Sequence, residues 1–209
     1  MIAYLSYILA MNSTSPGIDM PPPLTIIQAI YAATDITPKA RATIPQGPFL
    51  FVDMDNTNGP LDPWSSPDPW EGVIKCLSLL LSFLGRSISI FVACEHKGAF
   101  TLGPNVNSTR MHEITPAEPC NSANFTLVGV VWGGTNITNK VVYNRLCDHK
   151  INGSPVTFED ALFRSPKMNP FEMNIFPPMN KTGVIWYTED HFQTFKSIFA
   201  REGDTVTFG

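Results

Sequence analysis

Two stretches of this chain read as copies of each other, and that constrains the fold more than any single motif does. Leu24–Lys39 reads LTIIQAIYAATDITPK and Phe125–Lys140 reads FTLVGVVWGGTNITNK. Tyr31 matches Trp132, Thr34–Thr37 matches Thr135–Thr138, and Lys39 matches Lys140. The echo continues in Gly47–Asp53 (GPFLFVD) against Ser154–Asp160 (SPVTFED), and closes with Thr101–Gly103 against Thr207–Gly209. A repeat of about 80 residues exceeds any solenoid unit, so it implies two tandem domains of one fold.

Composition narrows the class. Apolar residues at 44% and aromatics at 11% supply enough side chain for packed cores and exclude wholesale disorder. Pro at 19 and Gly at 14, with few long runs of good helix formers, favour strands joined by many turns. A net charge of −4 without a Lys/Arg cluster gives no footprint for nucleic acid or for an anionic membrane surface. Met1–Met11 is apolar but too short to span a bilayer, and it lacks the basic flank of a secretory signal. Sequons at Asn12, Asn107, Asn124, Asn136, Asn152 and Asn180 point toward secretion, so the compartment stays open. At Asn136, which matches Asp35, the Asx-Ile-Thr string reads more simply as a turn bonding its own backbone. Cys76, Cys94, Cys120 and Cys147 show no CxxC spacing, which argues against zinc. Buried thiols are their expected state, because the chain is not disulfide-dense.

Along the chain, residues 1–23 read as a tail ending in Pro21–Pro23. The first domain is expected over 24–103, a linker rich in Asn, Ser, Thr and Pro over 104–123, and the second domain over 124–209. Apolar or alternating runs at Thr25–Tyr31, Phe49–Val52, Val73–Phe83, Ser87–Glu95 and Ala99–Leu102 predict strands, with Gly85-Arg86 as a hairpin connection. In Val73–Phe83, Leu77, Leu79, Leu81 and Phe83 fall on one face and Cys76, Ser78 and Ser82 on the other. The second copy is expected to repeat the strand order, with Phe163–Pro178 replacing the acidic loop of the first. Phe192, Phe195 and Phe199 recur at helical spacing and predict a short helix over Glu189–Phe199, its phenylalanines in the core. The fold class is therefore all-β: two tandem, related antiparallel β-sandwich domains.

The first copy also resembles a known family, on Ile26–Tyr31 (IIQAIY), Asp35–Thr37 (DIT) and Asp68–Leu77 (DPWEGVIKCL), with Phe83 as a closing aromatic. It is similar to the C-terminal β domain of J-domain co-chaperones of the subfamily C member 11 type, a module also found in uncharacterised fungal proteins. Ala32 stands where that pattern has glycine, which recurs in the second copy as Gly133, and Trp70-Glu71 separates Pro69 from Gly72. The resemblance implies a β fold and carries no catalytic residues. The chain shows no J-domain, so co-chaperone activity does not carry over.

Candidate chemistry gathers in the loop from Asp53 to Gly72. The strand-then-Asp53-x-Asp55-x-Thr57 string resembles the nucleophile motif of haloacid dehalogenase-type phosphatases, with Asp53 as nucleophile and Asp55 as acid. That chemistry needs a doubly wound sheet, and the chain lacks its strand–helix alternation. Asp53, Asp55, Asn58, Asp62 and Asp68 are also hard oxygen ligands for calcium or magnesium, but Gly59 and the missing Glu do not fit an EF-hand. Trp64 and Trp70 beside Asp53, Asp55, Asn58, Asp62 and Asp68 give flat apolar faces next to hydrogen-bonding groups, the mixture sugars need. The competing reading is that one tryptophan plugs the end of the sandwich; it is the expectation for Trp70, inside the family-like segment, while Trp64 fits both readings equally. The histidines each adjoin a carboxylate, as in Glu95-His96, His112-Glu113, Asp148-His149 and Asp190-His191, but neighbours on a strand face opposite ways. The expectation is a non-enzymatic binding protein without a required cofactor, with carbohydrate as leading ligand. Its alternatives are a metal-dependent hydrolase or lyase using Asp53, Asp55 and His191 between the domains, and a protein-binding or self-assembling module acting through a strand edge.

Overall fold

A computed structural model describes residues 24–43, 50–53, 75–83, 87–94, 99–102, 111–114, 120, 124–163 and 181–209. Its elements in chain order are β1 (Leu24–Tyr31), β2 (Thr34–Asp35), α1 (Thr37–Thr43), β3 (Leu50–Asp53), β4 (Cys76–Phe83), β5 (Ser87–Cys94), β6 (Ala99–Leu102) and β7 (Met111–Glu113). They continue as β8 (Thr126–Trp132), β9 (Thr135–Asn136), α2 (Lys140–Asn152), β10 (Val156–Thr157), α3 (Asp160–Phe163), β11 (Thr182–Thr188), β12 (Lys196–Arg201) and β13 (Thr205–Val206). The protein is mainly antiparallel β, as expected.

The two copies have the same connectivity. One sheet runs β2-β1-β4-β5-β7 and the other β9-β8-β11-β12, so four matched strands stand in the same order and β7 is an addition to the first sheet. Each copy adds a two-stranded ribbon, β3-β6 and β10-β13. The match reaches single residues. The β1–β4 pairing skips Ile27 and the β8–β11 pairing skips Val128, which are matched positions in the repeat. Such a bulge changes which side chains face which side. Leu24 and Ile26 before it, and Ala29 and Tyr31 after it, therefore share one core, while Ile27 and Ile30 face the other way. Leu127, Val130 and Trp132 against Val128 and Val131 repeat the pattern.

Three cores result. Ile36 and Ala40 around α1, together with Leu102 of the ribbon, cover the outer face of the first sheet. Val142 and Leu146 of α2, Leu162 and Phe163 of α3, and Val156 of the ribbon cover the outer face of the second. The inner faces meet each other: Ile30, Leu80, Ile90 and Val92 pack with Val128, Val131, Val184 and Trp186. Each large side chain so buried contributes roughly 1.5–3 kcal/mol. Gln28 Nε2 donates across this interface to Ser197 Oγ at 2.7 Å. Over Cys76–Leu81 the alternation read from the sequence holds, with Leu77, Leu79 and Leu81 outward; the inward face, including Ser78, is buried against the second sheet.

Several segments depart from the sequence reading. Met111–Glu113, placed in the linker, pairs with β5 as an edge strand of the first sheet. Lys140–Asn152 is a helix where only strands had been expected. Asn139 Oδ1 caps it by accepting the Val141 and Val142 N–H groups at 3.0 and 3.1 Å, and Gly153 at φ 62 ends it. No helix covers Glu189–Phe199: a turn leads into β12, because Asp190 organises the chain before a helix can start. Its carboxylate accepts the Thr188 and Thr194 hydroxyls and the N–H groups of Gln193 and Thr194. Phe192, Phe195 and Phe199 still pack on the shared core, as expected of them. The cysteines divide: Cys120 and Cys147 form a disulfide between the segment ahead of β8 and α2, correcting the expectation of thiols for these two, while Cys76 and Cys94 are buried and unbonded as expected.

Candidate functional site

Of the residues singled out for binding, the structure describes one. Asp53 ends β3 opposite Ala99 in the ribbon. Asp55, Asn58, Asp62, Trp64, Asp68 and Trp70 lie outside the described residues. Among the described residues no group of three or more His, Cys, Asp or Glu side chains is placed to hold a metal. His191, named for the metal-assisted alternative, sits exposed at φ 55 in the β11–β12 turn.

The second copy shows what the position matching Asp53 does. Asp160 accepts the Trp132 indole N–H at 2.7 Å and takes the Lys181 ammonium on both oxygens, at 2.9 and 3.0 Å. That ammonium lies 5.8 Å from the Trp132 ring centre, a cation–π distance. Glu202 accepts the Lys181 backbone N–H and stands 4.0 Å from its ammonium. Gly133 at φ 56 leaves room for the lysine stem, since a Cβ there would come within 2.9 Å of it. The result is a latch that ties α3 to the end of the sheet. Lys75, which precedes β4 as Lys181 precedes β11, is likewise buried at 8% exposure. The sequence reading missed this pair of lysines, although each stands just before an apolar run.

An open groove of about 500 Å³ lies between the C-terminal half of α2 and the segment 154–162. Arg145, Asp148, His149, Asn152, Ser154, Thr157 and Glu159 line it, with Ala161 and Leu162. The Arg145 guanidinium donates to the Ala161 and Leu162 carbonyls at 2.9 and 2.7 Å and thereby fixes one wall. His149 Nδ1 and Ser154 Oγ are 3.1 Å apart, where the helix cap also brings the Ser154 N–H to the His149 carbonyl. A serine nucleophile needs its histidine oriented by a third group. Among the described residues no hydrogen bond supplies one, so the pair reads as part of the helix terminus. Donors and acceptors of both signs, without an aromatic wall, suit a hydrogen-bonding ligand more than an apolar one.

No family model, curated protein or solved structure matches the chain. Among the described residues no helix is long and apolar enough to cross a membrane.

Proposed function

We propose that the protein is a non-enzymatic binding module built from two tandem, related β domains, with carbohydrate as its leading ligand class. The observation that carries this reading is the contrast between scaffold and loops. Bulge, strand order and Asx-Ile-Thr turn recur in both copies, yet Asp53–Gly72 and Phe163–Pro178 have unrelated sequences. A duplicated frame with diverged loops is a platform for recognition. The 53–72 loop supplies Trp64 for stacking and Asp55, Asn58 and Asp62 for hydroxyl groups, and loops of that length are commonly functional. The polar groove beside α2 adds a second hydrogen-bonding surface.

A glycan array run with wild type and Trp64→Ala tests the reading. Binding by the wild type that falls at least tenfold in the variant supports it; absence of any glycan binding, or binding unchanged by the substitution, refutes the sugar site. The metal-assisted alternative predicts a different result: a large Ca²⁺- or Mg²⁺-dependent rise in thermal stability that Asp53→Asn abolishes.

A further inference from the structure

We infer that Cys76 and Cys94 are the site of a second disulfide, a cross-strand bond that forms the seat for the first turn of the second copy. Cys76 opens β4 and lies directly opposite Cys94 at the end of β5. The Cys76 carbonyl accepts the Ala32 N–H, on the side of β4 turned away from β5. A strand residue directs its N–H and C=O to the same side, so Cys76 and Cys94 are a non-hydrogen-bonded pair. Such pairs have Cα atoms about 4.5 Å apart and side chains at their closest, within the span a disulfide bridges. The two sulfurs are 2.6 Å apart, inside the contact distance of unbonded sulfur atoms and close to a bond. Both residues are buried, at 4% and 1% exposure.

What covers them belongs to the other copy. Gly134, at φ 77 in the β8–β9 turn, has the Cys94 sulfur where its Cβ would stand, with the Cys76 sulfur beside it. A joined pair gives that turn a compact floor; two thiols held apart by their own radii would push into it. The matching register position in the second copy is Thr182 opposite Arg201, so the device is confined to one copy. With Cys120–Cys147 already closed, the bond would use all 4 cysteines of the chain.

The oxidant is a small-molecule disulfide such as oxidised glutathione. One protein thiolate attacks it and releases one small thiol, and the second attacks the mixed disulfide and releases the other. The protein loses two protons and two electrons, and the oxidant becomes two thiols. Burial under Gly134 requires this exchange to occur before the two copies close. The bond would belong to a chain folded in an oxidising compartment, where the exposed asparagines of two sequons, Asn124 and Asn152, are also accessible.

The test is to refold the full chain in a glutathione redox buffer, then denature and alkylate it without reductant, and map the peptides. The expected result is no alkylated cysteine and a linked peptide pair containing Cys76 and Cys94. Recovery of both residues as alkylated thiols, or linkage of either to Cys120 or Cys147, overturns the assignment. As a second readout, Cys94→Ser should leave Cys76 either as an alkylatable thiol or as a mixed disulfide with glutathione, with Cys120–Cys147 intact; linkage of Cys76 to Cys120 or Cys147 in that variant refutes the pairing.

Discussion

Thr37 and Thr138 make the same bond in the two halves of the chain. Each hydroxyl accepts a backbone N–H from the strand before it, from Ala29 at 2.9 Å and from Val130 at 2.7 Å. Each threonine is in turn held by the Asx two residues earlier, through Asp35 Oδ1 at 2.8 Å and Asn136 Oδ1 at 3.0 Å. The hydroxyl thus satisfies a strand amide just beyond the reach of the short β2 or β9 partner. Thr37→Val is expected to cost about 1–3 kcal/mol, the penalty for an unpaired buried donor. Thr138→Val, at a more exposed threonine, should cost about 1 kcal/mol, and serine should restore most of either loss. Urea denaturation of the four variants measures this; equal stability of Thr37→Val and Thr37→Ser contradicts it.

The Lys181–Asp160 latch gives an ordered series. Asp160→Ala strands both the buried ammonium and the Trp132 indole N–H, for an expected loss of about 3 kcal/mol. Asp160→Asn keeps an acceptor for Trp132 and should lose about 2 kcal/mol. Lys181→Met leaves a carboxylate that is 31% exposed and should lose about 1 kcal/mol. A double-mutant cycle on Lys181 and Asp160 should show clear coupling, and additivity would mean that the two do not act together.

Acid should act locally on the β11–β12 turn. The Asp190 carboxyl is held down at about 2, first by the Thr194 hydroxyl, then by the Thr194 N–H and the Thr188 hydroxyl. An unfolded aspartate titrates near about 3.9. The folded value is the lower one, so the ionised carboxylate favours the fold above about pH 4, and that contribution fades as pH falls through about 2. In NMR titration, the Gln193 and Thr194 amides should keep their folded shifts to about pH 2.5. In Asp190→Asn the same amides should no longer report a titration there. A carboxyl midpoint near 4 in the wild type would contradict the turn's hydrogen bonding.

The shared core is tested by a single methyl group. Gly129 lies against Ile90 of the other sheet, and a Cβ there would overlap the end of that side chain. Gly129→Ala is expected to destabilise by about 1–3 kcal/mol through overpacking. Ile90→Val removes the obstructing methyl, so the double variant should be more stable than the two single losses predict. Simple additivity would show that the two sheets do not meet at this point.

What the sequence made legible was periodic or local. Leu77, Leu79 and Leu81 announced one face of β4, and Asp35-Ile-Thr37 with Asn136-Ile-Thr138 announced the turns, because short-range hydrogen bonds leave a fixed spacing. The helix at Lys140–Asn152 was hidden by the repeat itself, which suggested that the second copy would follow the strands of the first. Its caps, Asn139 and Gly153, were the available signals. Phe192, Phe195 and Phe199 misled in the opposite sense: their spacing is helical, but Asp190 spends its acceptors on a turn. The inward burial of Ser78 and the facing of Gly129 and Ile90 depend on contacts between distant segments, which periodicity does not encode. Of the Asp53–Gly72 loop, the structure describes only the first residue, Asp53.

The inner faces have a consequence for any shorter relative. Ile30, Leu80 and Val92 have their burial partners on the other copy, so half of this protein would be a sheet with one apolar side facing water. A gene encoding a single copy would have to make a homodimer, and its stability would depend on protein concentration. Joining the halves in one polypeptide turns that encounter into an intramolecular event at a fixed effective concentration. It also frees each half to change its loops independently, which a symmetric dimer of identical chains does not allow.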